Sequence, residues 1–175
     1  EVGVVGPKLV LPDGSIQQAG VVLGLRGPSG PAFVGEKLDA PGYMHRLQVD
    51  QNYSAVSGSC MMVRKAVFDE VGGLDEGLVV AFNDIDFCMR VAAAGYMNVW
   101  TPFAELTHHE SATRGYEDTP EKIARFKREE AFMKARWGAV LDRDPFYNPN
   151  FSIEDAPYTL AYPPRPWAGA GVGAA

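Results

Sequence analysis

The stretch from Asn83 to Trp100 constrains the fold more than any other. Ile85, Met89 and Ala92 recur at helical spacing, and Phe87, Cys88 and Val91 widen that apolar surface. Asn83 or Asp84 stands where a short polar side chain can cap free backbone N–H groups, and Gly95 supplies the stop. A β-rich run, Met97–Trp100, follows at once, and a second is expected near Ala104–Thr107.

Before this helix the chain reads as short strands and turns. Val2–Val5 and Lys8–Leu11 are β-rich runs separated by a turn signal, Gly6-Pro7. Leu11-Pro12-Asp13-Gly14 is a second turn, with Pro presetting φ and Gly accepting a positive one. Ile16–Leu25 is expected to be a strand, hairpinned with Lys8–Leu11. Arg26–Gly42 is rich in Gly and Pro and reads as a long loop, a type that is often functional. Ala55–Val63 suggests a buried strand, and Lys65–Val71 a short helix stopped by Gly72-Gly73. A last helix starts at Asp118-Thr119-Pro120-Glu121, where Asp118 and Glu121 have capping-box spacing. Ile123, Phe126, Met133 and Trp137 form its inward stripe. From Pro157 to Ala175 the chain is mostly Pro, Gly and Ala with one charge, Arg165, and is expected to be loosely held.

Composition removes several classes of function. With 175 residues the chain suits one domain or a large piece of one, and it opens at Glu1 inside a strand-like run, as an excerpt of a longer protein would. Apolar residues at 46% and charged residues at 22% exclude a disordered chain, a collagen-like repeat and a disulfide scaffold. The net charge of −6 argues against generic nucleic-acid binding. Cys60 and Cys88 form no C-x-x-C pair, so zinc-finger and dithiol redox chemistry have no support. No apolar run reaches the roughly 18 residues of a membrane span.

Three polar constellations remain. In Phe82-Asn83-Asp84-Ile85-Asp86-Phe87, two acids flanked by aromatics sit at a helix start. Both can simply favour the helix dipole, or one can act as a general base. Burial would raise the pKa of such a carboxyl and the helix N-terminus would lower it. Asp84-Ile85-Asp86 also spells D-x-D, but within a helix these side chains diverge by about 200° and do not converge on one ion unless the helix starts between them. Thr107-His108-His109-Glu110-Ser111 follows a strand, so the two imidazoles point to opposite sides, each either a hydrogen-bonded structural group or a metal ligand. Arg114 beyond them can pair with a phosphate. Around Gly58 and Ser59, small residues either pack closely or let a ligand approach the backbone.

Taken in order, these segments are more specific than any one of them. They are Gly58 and its small neighbours, Met61-Met62-Val63-Arg64-Lys65, Phe68-x-x-Val71-Gly72-Gly73-Leu74-Asp75-Glu76, Phe82-Asn83-Asp84-Ile85-Asp86-Phe87-Cys88-x-Arg90, Gly95-Tyr96 and His108-His109-Glu110-Ser111. The succession resembles the C-terminal half of inverting GT-A glycosyltransferases of family 2, particularly rhamnosyltransferase-like members, over about residues 1 to 153. The resemblance implies an α/β fold: a partial GT-A fold whose mixed sheet is flanked by helices and which lacks the N-terminal nucleotide-binding half. Residues 154–175 would then be a disordered tail.

In that family a variant of an acidic motif supplies the catalytic base. The resemblance places that base at Asp84, with Asn83 replacing the usual first acid and Asp86 in support. It implies His108 as a metal ligand, with His109 the alternative, and Gly58, Ser59, Asp75, Glu76 and Arg114 near the substrates. It further implies a Mg²⁺ or Mn²⁺ cofactor whose main D-x-D ligands lie upstream, a nucleotide-sugar donor and a glycan or lipid-linked glycan acceptor. The remaining N-terminal half of the domain would be a partner. The expected location is cytoplasmic, peripheral at the inner face of the membrane. Two alternatives are a non-catalytic glycan-binding or assembly module and a glycoside hydrolase using Asp84 with Asp86. The latter needs carboxyls facing each other roughly 5–9 Å apart across a sugar.

Overall fold

The computed structural model describes residues 1–109 and 119–165. Its centre is a mixed sheet in which β1 (Val2–Val10) and β7 (Met97–Thr107) run parallel, flanked by antiparallel β2 (Ile16–Gln18) and β5 (Gln51–Tyr53). A short β3 (Val21–Leu23) pairs with β4 (Ser29–Pro31) in a second, two-stranded sheet. The two-residue β6 (Met62–Val63) adds to β1. Among the described residues there are also three α-helices, α1 (Lys65–Glu70), α2 (Asn83–Ala93) and α3 (Pro120–Leu141), and a short 3-10 helix, Tyr43–Gln48. None of the described helices is long and apolar enough to cross a membrane.

The expected break at Gly6-Pro7 does not occur, because β1 runs through it. Gly6 serves close packing instead of a turn: a Cβ there would lie 2.6 Å from the Val56 Cβ. Pro7, which has no N–H to give a ladder, sits where the β1–β7 register shifts between Pro7 and Lys8. Pro102 falls in the same irregularity, so the two expected strands over 97–107 are one. The hairpin at Pro12-Asp13-Gly14 is present. Gly14 has φ +84, and the Asp13 carboxylate accepts from the Ser15 N–H and hydroxyl at 2.9 and 2.7 Å.

Ile16–Leu25 is two strands, not one. The chain turns at Gly20, whose φ is +88 and whose Cβ would strike the Tyr53 ring at 2.4 Å. The expected strand over Ala55–Val63 is mostly loop, with one bridge at Ala55 and pairing only at Met62–Val63. The Ser-Gly-Ser run leaves it no side chains to pack. The Gly/Pro-rich stretch 26–42 is not wholly a loop, since it contains β4.

The core lies between α2 and the sheet, where Phe87, Cys88 and Val91 meet Val4, Val56, Val67 and Trp100. On α3 the expected stripe is only partly inward: Met133 is fully buried, whereas Ile123 and Phe126 are 43% and 40% exposed. Its cap is Thr119, which accepts from the Lys122 N–H at 3.3 Å; Asp118 lies outside the described residues. The stretch expected to be loose is anchored as far as it is described. Tyr158 stacks on Phe33 and Tyr43 with centroids at 4.8 and 5.2 Å, and its hydroxyl lies 3.0 Å from that of Tyr53. Residues 166–175 lie outside the described part.

Candidate active site

The helix that carries the acids starts in an unexpected way. Its cap is neither Asn83 nor Asp84 but Phe82, a non-glycine residue in the left-handed region (φ 63, ψ 4). The Phe82 carbonyl accepts the first helical bond, from Asp86 N–H at 2.9 Å. Asn83 is therefore the first helical residue. This turn aims Asp84 and Asp86 into different surroundings.

Asp84 faces the loop 57–59. One carboxylate oxygen accepts the Gly58 N–H at 2.6 Å and the other the Ile85 N–H at 2.9 Å. Among the described residues no cation pairs with it. It lines a cavity of 180 Å³ together with the polar Gln18, Ser29 and Ser57 and with Val21, Gly30, Pro31, Phe82 and Ile85. Burial pushes its carboxyl above the ordinary range and outweighs the two N–H bonds that favour the ionised form. The cavity thus pairs a basic carboxylate with hydroxyl and amide groups, a lining that suits a small polyhydroxyl ligand.

Asp86 is on the other side and fully buried. It accepts from Arg90 Nε at 2.8 Å, Arg136 Nη1 at 2.9 Å and Trp137 Nε1 at 2.9 Å. The two acids share no space, so neither a D-x-D metal clamp nor a hydrolase pair is built from them. Asp86 supports Asp84 only through the helix. Asp75 is likewise engaged: it accepts from Arg136 at 2.7 Å and from Gly77 N–H at 2.8 Å, and these bonds hold its carboxyl below the usual range. Glu76 is exposed on the same loop. Gly58 touches Asp84 directly, whereas Ser57, not Ser59, lines the cavity.

His108 follows the last residue of β7, and its N–H donates to the Val10 carbonyl at 2.8 Å. Its Nδ1 lies 2.7 Å from the Gln17 amide oxygen, and in the tautomer that donates there Nε2 is the nitrogen with a lone pair. An imidazole oriented in this way suits a single metal bond. It is not among the cavity-lining residues; its partner's neighbour, Gln18, is. His109 is exposed. Among the described residues no three His, Cys, Asp or Glu side chains group as a metal site would require. Arg114 lies outside the described residues.

The cavity contributions of Gln18, Ser29 and Ser57 were not apparent from sequence. Ser29 lies in the Gly/Pro-rich stretch that contains β4 and Ser57 in the small-residue run around Gly58, whereas Gln18, at the end of β2, carried no signal. The buried Glu129 of α3 was also missed, although an acid between Phe126 and Met133 on an apolar stripe is a visible signal.

No family model matches the chain. Over 163 residues, 93% of its length, the chain is 55% identical to the uncharacterized protein y4gI of Sinorhizobium fredii and covers 18% of it. Over 155 residues, 87% of the chain, it is 35% identical to the O-antigen biosynthesis protein RfbC of Myxococcus xanthus and covers 12% of it. Over 150 residues, 79% of the chain, it is 29% identical to the N-acetylglucosaminyl-diphospho-decaprenol L-rhamnosyltransferase of Mycobacterium tuberculosis and covers 49% of it. The chain therefore spans about half the length of the rhamnosyltransferase and less than a fifth of the other two. The similarity to proteins named for glycan synthesis and sugar transfer runs through most of the chain.

Proposed function

We propose that this chain is the acceptor-side, base-bearing portion of an inverting GT-A glycosyltransferase of family 2, working in cell-surface polysaccharide or glycan synthesis. The observation that carries the reading is Asp84, a carboxylate with a raised pKa and no cation partner among the described residues, facing a cavity of 180 Å³. The named relatives support the transferase class, and the rhamnosyltransferase supports a sugar donor with a lipid-linked glycan acceptor.

In this reading an acceptor hydroxyl enters the cavity, and Asp84 takes its proton as the oxygen attacks the anomeric carbon of a nucleotide-sugar. The new C–O bond forms as the bond to the diphosphate breaks, and one displacement inverts the configuration. The Gly58 and Ile85 N–H groups hold the carboxylate in a fixed direction, and its burial raises its affinity for the proton. A Mg²⁺ or Mn²⁺ ion would supply charge neutralisation at the departing diphosphate. Of the described residues, His108 is suited to offer it one nitrogen, with carboxylate ligands and donor-binding residues from the rest of the protein. The 175 residues alone should therefore not turn over a nucleotide-sugar.

The test is Asp84→Asn in the full-length protein. Loss of a general base predicts a fall of roughly 10²–10⁴-fold in turnover with nucleotide-sugar affinity retained. Turnover close to wild type would instead mark a non-catalytic module.

A further inference from the structure

One face of α3 holds several anchors of the turn that leads into Asp84. Phe126, Glu129, Met133 and Arg136 recur at spacings of three and four residues, which align along one side of a helix. The Phe82 ring lies on Phe126, with centroids 5.3 Å apart. Arg136 and its neighbour Trp137 hold Asp86, one helical turn after Phe82. Between them Glu129, only 3% exposed, accepts three consecutive backbone N–H groups: Val79 at 3.1 Å, Val80 at 3.2 Å and Ala81 at 2.7 Å.

These three residues run straight into Phe82, whose left-handed backbone persists only where its surroundings over-determine it. The loop has little burial of its own to do this, since Val79 is 69% exposed. A carboxylate is the side chain suited to the task. Its two oxygens offer lone pairs to all three donors, whereas an amide would turn an NH₂ toward one of them. Removing a carboxylate from water is costly, and doing so for a surface loop contributes little core. The arrangement instead fixes a direction.

We infer that Glu129 is a positioning residue for Asp84, locking the 79–82 turn so that the carboxylate stays aimed into the cavity. The inference rests on Asp84 being the base. Glu129 touches neither the cavity nor Asp84, so its effect on turnover passes through the 79–82 turn, which carries Phe82 of the cavity lining and leads into Asp84.

A mutant cycle in the full-length protein tests this. The readout is nucleoside diphosphate released per donor-binding site, using whichever UDP-, GDP- or dTDP-sugar the wild type turns over. Glu129→Gln should lower kcat roughly 10–100-fold while donor KM stays within about twofold. In the Asp84→Asn background the same substitution should add nothing, because the group it positions is gone. A merely structural role would add its full effect in both backgrounds. If E129Q binds no donor, Glu129→Asp, which keeps the charge and shortens the reach, takes its place in the cycle. Unchanged kcat in the Glu129 variant, or additive losses in the cycle, overturns the inference. Wild-type turnover by D84N alone would overturn the base assignment instead.

Discussion

Gly58→Ala is the most direct probe of how tightly the Asp84 direction matters. Gly58 has no positive φ, so alanine fits its backbone. The added Cβ would lie 3.0 Å from the Asp84 Cβ, 3.3 Å from its Oδ2 and 3.4 Å from its carboxyl carbon. Ordinary carbon contacts are about 3.5–4.0 Å, so the carboxylate or the loop must give way by about 0.5 Å. A displacement of about 1 Å at a reacting group costs about 100-fold, which makes half of it worth about tenfold. That corresponds to about 1.4 kcal/mol in the barrier. Stability should change little. The overlap costs about 1 kcal/mol, and the stiffer unfolded chain returns up to about the same. The assay is turnover of nucleotide-sugar by full-length G58A, alongside a urea melt. A tenfold loss of kcat with stability within about 1 kcal/mol of wild type is expected. Unimpaired turnover would refute the claim that this contact aims the base.

Other consequences follow from the same geometry. Asp86→Asn removes the charge that Arg90 and Arg136 share in a fully buried site, and should lower unfolding free energy by about 3 kcal/mol in urea titrations. Asp84→Asn has a pH signature. Because the native carboxyl titrates above its unfolded value of 3.8, its contribution to stability is complete below that value and is lost as pH rises through the native one. The stability of D84N relative to wild type should therefore grow between about pH 3 and about pH 8, and a shrinking difference would contradict the sign. Burial pushes the Cys88 thiol up to about 12, whereas Cys60 is partly exposed. Native protein should thus take up one equivalent of iodoacetamide at about pH 8, at Cys60, as read by mass spectrometry. Gly20→Ala places a methyl 2.4 Å from the Tyr53 ring at a φ of +88, and should cost at least about 3 kcal/mol or abolish soluble expression.

Local patterns were readable where local forces decide. The apolar face of α2 and the turn at Pro12-Asp13-Gly14 are set by periodicity and backbone preference within a few residues. Glycine was ambiguous for a physical reason: it answers two different needs. At Gly14 it supplies a positive φ, as a turn reading assumes, with nothing within 4 Å of an added Cβ. At Gly6 and Gly58 it makes room for Val56 and Asp84, neighbours 50 and 26 residues away. Nothing near either glycine in the sequence announces that neighbour, so Gly6-Pro7 looked like a turn and proved to be the interior of a strand. The described part of the tail, to residue 165, shows the same limit. Its composition argues against order, but one side chain, Tyr158, finds a slot between Phe33 and Tyr43.

Asp84 and Asp86 show where such reading reaches its limit and what supplies the rest. Helical geometry argued against a shared metal or a shared sugar, and the different partners of the two carboxylates in the structure decide it. Sequence could not assign the roles, since both acids are two residues apart in the same first turn and both favour the helix dipole equally. The proposed assignment is supported by α3, some 50 residues later, which brings Arg136 and Trp137 to Asp86 and nothing cationic among the described residues to Asp84. A carboxylate enclosed by two guanidinium groups and an indole faces no ligand, whereas one held by two backbone N–H groups at the wall of a cavity does. Exchanging those surroundings would exchange the roles: the chemistry at Asp84 belongs as much to the helix that binds its neighbour as to the acid itself.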